Sequence, residues 1–598
     1  MEFESKIRLF MINIVLVFVL ITSVHFTNNT HEGFVKELFS FNFEHIFTFL
    51  LFFLIQIIPI GIALYKFFSN RKNKLADSNL LSYKGINREQ RIAANSVFYA
   101  RNNKFFEKEK SAMYISRNVQ ITTKKSHEHI LLLGPTGSGK SASFFLPNLL
   151  SLDNVSLVVT DPKGELYRKS KAALEQKGYT VIHLNFNNPK RSAHYNLLAN
   201  AKSYDDIRKI SDSILSNGKD AGEWGNLSKT LLEAFLFHEF DHGNKNISNV
   251  VTEMATVSTN IEEMERFFQN SSQAAYMSFL QFKKTSSGDS YVSSVYATIQ
   301  GKMKVYEIDS VIDIGSQNDF TPGTFRQQKS ALFVSYPEDE AQLYSAFLAA
   351  FYYQLFNQIK THKSVDEAYG KATGLPVYFL MDEFANIGKV PEIDVLLSTV
   401  RSKKMSLVLG IQSLDQIKKN YKDTFNIIVE NCKTKIILGG TTGETAGYFS
   451  KMVGEEEYTN VSVSEGNKSL STSTSTNKKS ILSPDQIRRL KSYELICVSD
   501  NLKPFRDDKN YYFLDKTAYF LFKNLPFSVE KNDEIIRKYT SWKEKKQTKE
   551  VVQEKKIHIQ QQRQERNEEK ISVRQEKIMS KQDEIKQLRE QRRRRDFE

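Results

Sequence analysis

The stretch Gly134-Pro135-Thr136-Gly137-Ser138-Gly139-Lys140-Ser141 limits what this chain can fold into more than any other feature. It satisfies the spacing G-x-x-x-x-G-K-[ST], and an apolar run from Ile130 to Leu133 stands directly before it. A segment able to form a helix follows, up to Leu150. Strand, glycine-rich loop and helix in that order build a cradle in which backbone N–H groups and a helix N-terminus surround an anion. In such a cradle Lys140 reaches the β- and γ-phosphates of ATP, and the Ser141 hydroxyl binds Mg²⁺. A chance glycine-rich turn is the bland alternative, and the correct flanks disfavour it.

The second half of such a site is a carboxylate at the end of a buried strand. The run 377–381 is apolar and ends in Asp382 and Glu383. Asp382 suits the Mg²⁺ shell. Glu383 can orient and deprotonate an attacking water. Downstream, Arg401 precedes another apolar run at 407–411, and Gln412 ends it. A glutamine beside the phosphate-loop strand can sense the γ-phosphate or position water, and an arginine at a subunit edge can stabilise transition-state charge in trans. Each is weak evidence alone, because strand ends commonly carry solvated glutamine and arginine.

Short apolar runs recur at 130–133, 157–160, 181–185, 331–335, 377–381, 407–411, 435–438 and 495–498, separated by helical stretches. That alternation predicts an α/β domain with a mainly parallel sheet. The polar, helix-like span 202–310 is too long for one crossover and reads as an all-α insertion. The Ser/Thr/Asn-rich stretch 461–480 is expected to be a flexible surface loop. From Trp542 onward Lys, Arg, Glu and Gln dominate, which predicts a charged helix or a disordered tail.

Two apolar runs near the N-terminus, 9–24 and 46–65, predict a transmembrane hairpin. Lys6 and Arg8 precede it, Lys66, Arg71, Lys72 and Lys74 follow it, and the intervening loop is acidic. That asymmetry places both termini in the cytoplasm. A cleaved signal peptide is the alternative for the first run, but no small-residue cleavage site stands out and export would strand an ATP site outside the cell. Two cysteines, Cys432 and Cys497, are too few for a disulfide framework and suggest a reducing compartment. The net charge of +14 over 598 residues favours a polyanionic partner, nucleic acid or membrane lipid.

Several further motifs coincide with these: Asp161-Pro162-Lys163-Gly164-Glu165-Leu166, Tyr195-Asn196-Leu197, Asp382-Glu383-Phe384-Ala385-Asn386-Ile387-Gly388-Lys389-Val390-Pro391, Gly410-Ile411-Gln412-Ser413, and Ser483-Pro484-Asp485-Gln486-Ile487-Arg488-Arg489-Leu490. Together with the two apolar runs and the phosphate loop, they resemble the TraG/TraD family of type IV secretion coupling proteins over roughly 1–525. The Lys/Asn/Ile-rich composition suggests a Gram-positive, PcfC-like member. The resemblance implies a RecA-like P-loop NTPase domain with an inserted all-α domain, preceded by a two-helix transmembrane anchor and followed by a charged tail. The implied divisions are an anchor at 1–75, nucleotide-binding parts at 76–200 and 311–535, the all-α domain at 201–310, and the tail at 536–598.

It also implies a membrane-anchored homo-hexameric ATPase of conjugative plasmid transfer. Its partners would be the relaxase, relaxosome accessory proteins, single-stranded DNA and channel subunits including a VirB-like ATPase. Lys140 and Ser141 map to the family's Walker A residues, Asp382 and Glu383 to Walker B, Gln412 to its glutamine motif, and Arg401 to its trans-acting arginine. Gln486 departs from the acidic residue of many relatives. Two rivals stand beside this reading. A chromosome-segregation DNA translocase usually carries more spans and a C-terminal winged helix. A non-catalytic ATP-binding receptor for the relaxosome would not require Glu383.

Overall fold

The computed structural model describes residues 80–82, 98–100, 110–215, 222–257, 259–286, 288–362, 373–466, 469–499 and 502–513, with single positions at 537 and 541. The apolar runs 9–24 and 46–65 and most of the charged tail lie outside the described residues. Among the described residues no helix is long and apolar enough to cross a membrane. Two compact units divide the chain, one comprising 78–456 and 479–598, the other 1–77 and 457–478.

The larger unit is built on one sheet of ten strands among the described residues. In chain order these are β1 (Leu81–Ser82), β2 (Ile130–Leu133), β3 (Ser156–Thr160), β4 (Thr180–Asn185) and β5 (Ser330–Ser335). They continue as β6 (Val377–Met381), β7 (Met405–Ile411), β8 (Thr434–Leu438), β9 (Glu494–Ser499) and β10 (Phe505–Asp508). Across the sheet the order is β1-β10-β9-β8-β2-β7-β6-β3-β5-β4. The seven strands from β8 to β4 are mutually parallel. At the other end β9 runs antiparallel to β8 and to β10, and β1 is parallel to β10. The parallel strands are covered on both faces, so β2, β3 and β6 are buried along their whole length. This is why they read as continuous apolar runs rather than alternating ones. β7 begins two residues earlier than the run 407–411, because Met405 and Ser406 are also buried and pair with Val377 and Tyr378.

Between β4 and β5 the described chain carries helices and no strand, from Tyr204–Leu215 to Asp309–Ile314. Asn246, Asn260 and Ser272 cap three of these helices by accepting backbone N–H bonds. Such caps satisfy donors that the first helical turn leaves unpaired. The buried residues of this stretch, Phe235, Phe268 and Phe279 among them, share one continuous core with Phe379 of β6 and Leu409 of β7. The helix Ala341–Lys360 is buried along most of its length, and its Phe356 meets Phe379 with ring centroids 4.6 Å apart.

Two sequence features took a different form from their polarity. The stretch expected to be a flexible loop forms a two-stranded sheet, Glu455–Gly466 with Ser469–Ser480. Val and Thr alternate with Ser there, and β-branched residues favour an extended pleat even where the composition is polar. Gln486, the departure from the family pattern, completes a capping box with Ser483. The Ser483 N–H donates to Gln486 Oε1 at 2.8 Å, and the Gln486 N–H donates back to Ser483 Oγ at 3.2 Å. Glutamine serves that box as glutamate would.

Candidate nucleotide site

Because β2, β7 and β6 are parallel neighbours, the residues that follow them emerge at one edge of the sheet. There the phosphate loop leaves β2 while the Gly134 N–H still donates to the Ile411 carbonyl of β7, at 3.1 Å. Gly137 and Gly139 have φ of +76° and +88°, a region where a side chain strains the backbone. The chain then enters a π turn, Ser141–Phe145, and the helix Leu146–Ser151.

The side chains expected to act together meet at this edge. The Ser141 hydroxyl donates to Asp382 Oδ2 at 2.7 Å. The Lys140 ammonium donates to the Gly134 carbonyl at 2.8 Å and lies 3.2 Å from Glu383 Oε1. Gln412 Nε2 donates to Glu383 Oε2 at 3.0 Å. Since β7 lies between β2 and β6, Gln412 is placed beside the acidic pair from the phosphate-loop side. Residues 135–141 of the loop, with Asp161, Asp382 and Glu383, line a cleft of about 300 Å³.

Electrostatics at the cleft leave one position open to a cation. Burial pushes the Asp382 carboxyl up to about 6, against the pull of the Lys140 ammonium and the Ser141 hydrogen bond. Its second oxygen, Oδ1, is buried and has no hydrogen-bond partner. A buried carboxylate oxygen without a donor is costly unless a cation or solvent satisfies it. Ser141 and Asp382 are hard oxygen donors of the kind Mg²⁺ takes, so the residues present fit that ion. Asp161 serves differently. Burial raises it to about 6 as well, but its Oδ2 accepts the Tyr167 N–H at 2.8 Å, in the first turn of the helix Glu165–Gln176.

Residues 72–583 match the model of a protein family described as type IV secretory system conjugative DNA transfer. The chain belongs to that family. It is similar to the VirD4 protein of Rhizobium radiobacter, 22% identical over 416 residues, a match covering 67% of this chain and 59% of that protein. VirD4 of Agrobacterium fabrum is 22% identical over 417 residues, covering 67% of this chain and 61% of that one. The chain thus spans less than two thirds of the length of these curated relatives.

Among solved structures, the unbound form of the bacterial conjugative coupling protein TrwB aligns with a TM-score of 0.56 at 15% identity, covering 73% of this chain and 93% of that one. TrwB with the non-hydrolysable ATP analogue ADPNP, and TrwB with ADP and Mg²⁺, each align at 0.55 and 16% identity, covering 74% of this chain and 95% of theirs. Identities this low show a shared α/β nucleotide-binding fold and no more.

In this member of the conjugative DNA transfer family, Arg401 is not brought to the cleft. It forms an ion pair with Glu128, just ahead of β2, and is about half exposed. It precedes β7, whereas Gln412 follows it, so roughly 20 Å of strand separates the two at about 3.3 Å per residue. The structure also places residues at the site that motif reading passed over. Glu383 sits at φ +61°, and the turn after it is held from outside. Asn420 Nδ2 donates to the Ala385 carbonyl at 2.8 Å. The Tyr421 hydroxyl accepts from the Val390 N–H at 3.0 Å and donates to the Gly388 carbonyl at 3.2 Å. On the loop's other flank the buried Lys509 ammonium donates to the Ser138 carbonyl at 2.7 Å. Asn420, Tyr421 and Lys509 belong to no spacing motif, and only their nearness in space to these turns identifies them.

Proposed function

We propose that this chain is a membrane-anchored hexameric ATPase that recruits a relaxase–DNA complex to a type IV secretion channel and drives conjugative DNA transfer. The observation that carries the reading is the meeting of Lys140, Ser141, Asp382, Glu383 and Gln412 at one cleft, in a chain of the conjugative DNA transfer family. The relatives' descriptions support it, since TrwB is called a conjugative coupling protein and was solved with an ATP analogue and with ADP and Mg²⁺.

The phosphates would lie along 134–141, where Ser141 and Asp382 would hold Mg²⁺, which would supply neutralisation of phosphate charge when bound. Glu383, held by Gln412 and Lys140, takes a proton from the attacking water. Release of the Lys140 ammonium from Glu383 to the phosphates frees that carboxylate when nucleotide enters. Arg401 completes the site of a neighbouring copy. The runs 9–24 and 46–65 anchor the chain in the cell membrane with both termini cytoplasmic, and the helices within 201–310 act as a substrate-reading all-α domain. Contacts to DNA run through phosphates and are sequence-tolerant and salt-sensitive. A Gram-positive, PcfC-like element is the proposed source. Steady-state ATP hydrolysis by the full chain, alongside conjugation frequency in cells, tests the reading. Lys140→Ala should abolish both and leave the protein in the membrane fraction. Undiminished transfer by that variant would sink the motor reading.

A further inference from the structure

The antiparallel end of the sheet has no role in the chemistry above, yet it delivers a segment directly onto the phosphate loop. Residues 509–513 follow β10, and hydrogen bonds fix them, among them one from the Lys509 N–H to the Tyr493 carbonyl at 2.6 Å. Lys509 Nζ donates to the Ser138 carbonyl at 2.7 Å, the Tyr512 N–H to the Ala142 carbonyl at 3.3 Å, and the Tyr511 hydroxyl to the Ser492 carbonyl at 2.9 Å. The Tyr511 ring lies against Gly139 so closely that a Cβ there would come within 2.6 Å of its hydroxyl. Phe513 is half-buried and packs on Tyr511 with ring centroids 5.2 Å apart and planes inclined by 35°. Both rings line the cleft that holds the loop, Asp382 and Glu383.

Direction follows from the sheet order. Asp382 and Glu383 stand on the β7–β6 side of β2, and the 509–513 segment comes from the β8–β10 side. A triphosphate whose γ end meets the acidic pair therefore sends its α end, and the nucleoside beyond it, towards Tyr511 and Phe513. We propose that these two rings form the shelf on which the base of the bound nucleotide lies, Phe513 offering its face and Tyr511 backing it. This rests on the nucleotide-binding reading of the cleft and adds the part of the ligand that the loop itself does not recognise. Stacking of a base on an aromatic side chain tolerates any base, because each has a π face.

The test compares binding of ATP and of inorganic tripolyphosphate, each with Mg²⁺, to the full chain and to Phe513→Ala and Phe513→Trp. The shelf predicts that wild-type protein binds ATP more tightly than tripolyphosphate. Phe513→Ala should weaken ATP binding roughly 5- to 150-fold, the range set by loss of one stacked base, and leave tripolyphosphate binding at the wild-type level. Phe513→Trp should recover ATP affinity, with its indole emission quenched by ATP and not by tripolyphosphate. Unchanged ATP affinity in Phe513→Ala overturns the shelf and leaves the phosphate site standing. A parallel loss of tripolyphosphate binding assigns Phe513 to the fold and also overturns it. A wild-type chain that binds neither probe overturns the nucleotide reading, and the shelf with it.

Discussion

The two edges of the parallel sheet are built from the same strands and treat charge in opposite ways. At the edge after the strands, Lys140, Glu383 and Gln412 are held close to one another, and the buried Asp382 Oδ1 has no hydrogen-bond partner. At the edge before them, Glu128 is paired with both Lys125 and Arg401. His129 uses both ring nitrogens there: Nδ1 accepts the Leu407 N–H at 3.1 Å, so Nε2 carries the proton that it donates to the Leu397 carbonyl at 2.9 Å. One edge keeps a carboxylate oxygen spare for a ligand, and at the other Glu128 and His129 spend their side-chain atoms on partners of the same edge. The difference teaches that a charged residue near a strand is informative only with its edge specified.

Arg401 is the residue that can break this comparison. If it serves a neighbouring copy's cleft, Arg401→Ala lowers ATP hydrolysis by roughly 10³–10⁵. The loss should be rescued in mixtures with a Lys140→Ala chain that supplies the arginine. Loss of hydrolysis without rescue, or full hydrolysis by Arg401→Ala, confines this arginine to its ion pair with Glu128. Glu383→Gln removes the proton acceptor while a side chain able to hydrogen-bond with Gln412 remains. Hydrolysis should fall roughly 10²–10⁴-fold, with ATP binding retained in equilibrium measurements. Comparable loss of binding would show that Glu383 holds the loop rather than the water. In Gly139→Ala, a side chain at φ +88° would also meet the Tyr511 ring, and backbone strain of about 1–3 kcal/mol should weaken ATP binding by about tenfold or more.

The smallest effect sharpens the structural edge. Burial holds His129 and His127 down to about 4 in the folded chain, below the ordinary value of 6.5. The unfolded chain therefore binds more protons between pH 6.5 and 4, and stability falls as pH drops through that window. The thermal midpoint should decline on acidification, and His129→Asn should flatten the decline by an amount on the order of a few degrees. Asparagine suits the φ of +57° at that position. An unaltered pH slope in His129→Asn would mean that this imidazole does not titrate on unfolding.

The phosphate loop, the acidic pair and the parallel sheet could be read locally because each depends on short-range chemistry. Glycines meet positive φ, continuous apolar runs meet burial on both faces, and a carboxylate pair ends a strand. The polar stretch 461–480 pairs as strands although its composition is that of a loop, because its Val and Thr residues favour an extended pleat. Tyr421, Asn420, Lys509 and Tyr511 carry no spacing signal and lie far along the chain from the loops they contact.

The sequence by itself determined that a glycine-rich loop with Lys140 and Ser141 follows one strand and a carboxylate pair ends another, since these residues lie within a few positions of strand ends. Only the tertiary structure decided which edge each residue occupies. Strand order is a long-range property, set by how apolar faces are buried, and it places Gln412 beside Glu383, Tyr511 beside Gly139, and Arg401 at the opposite edge from both.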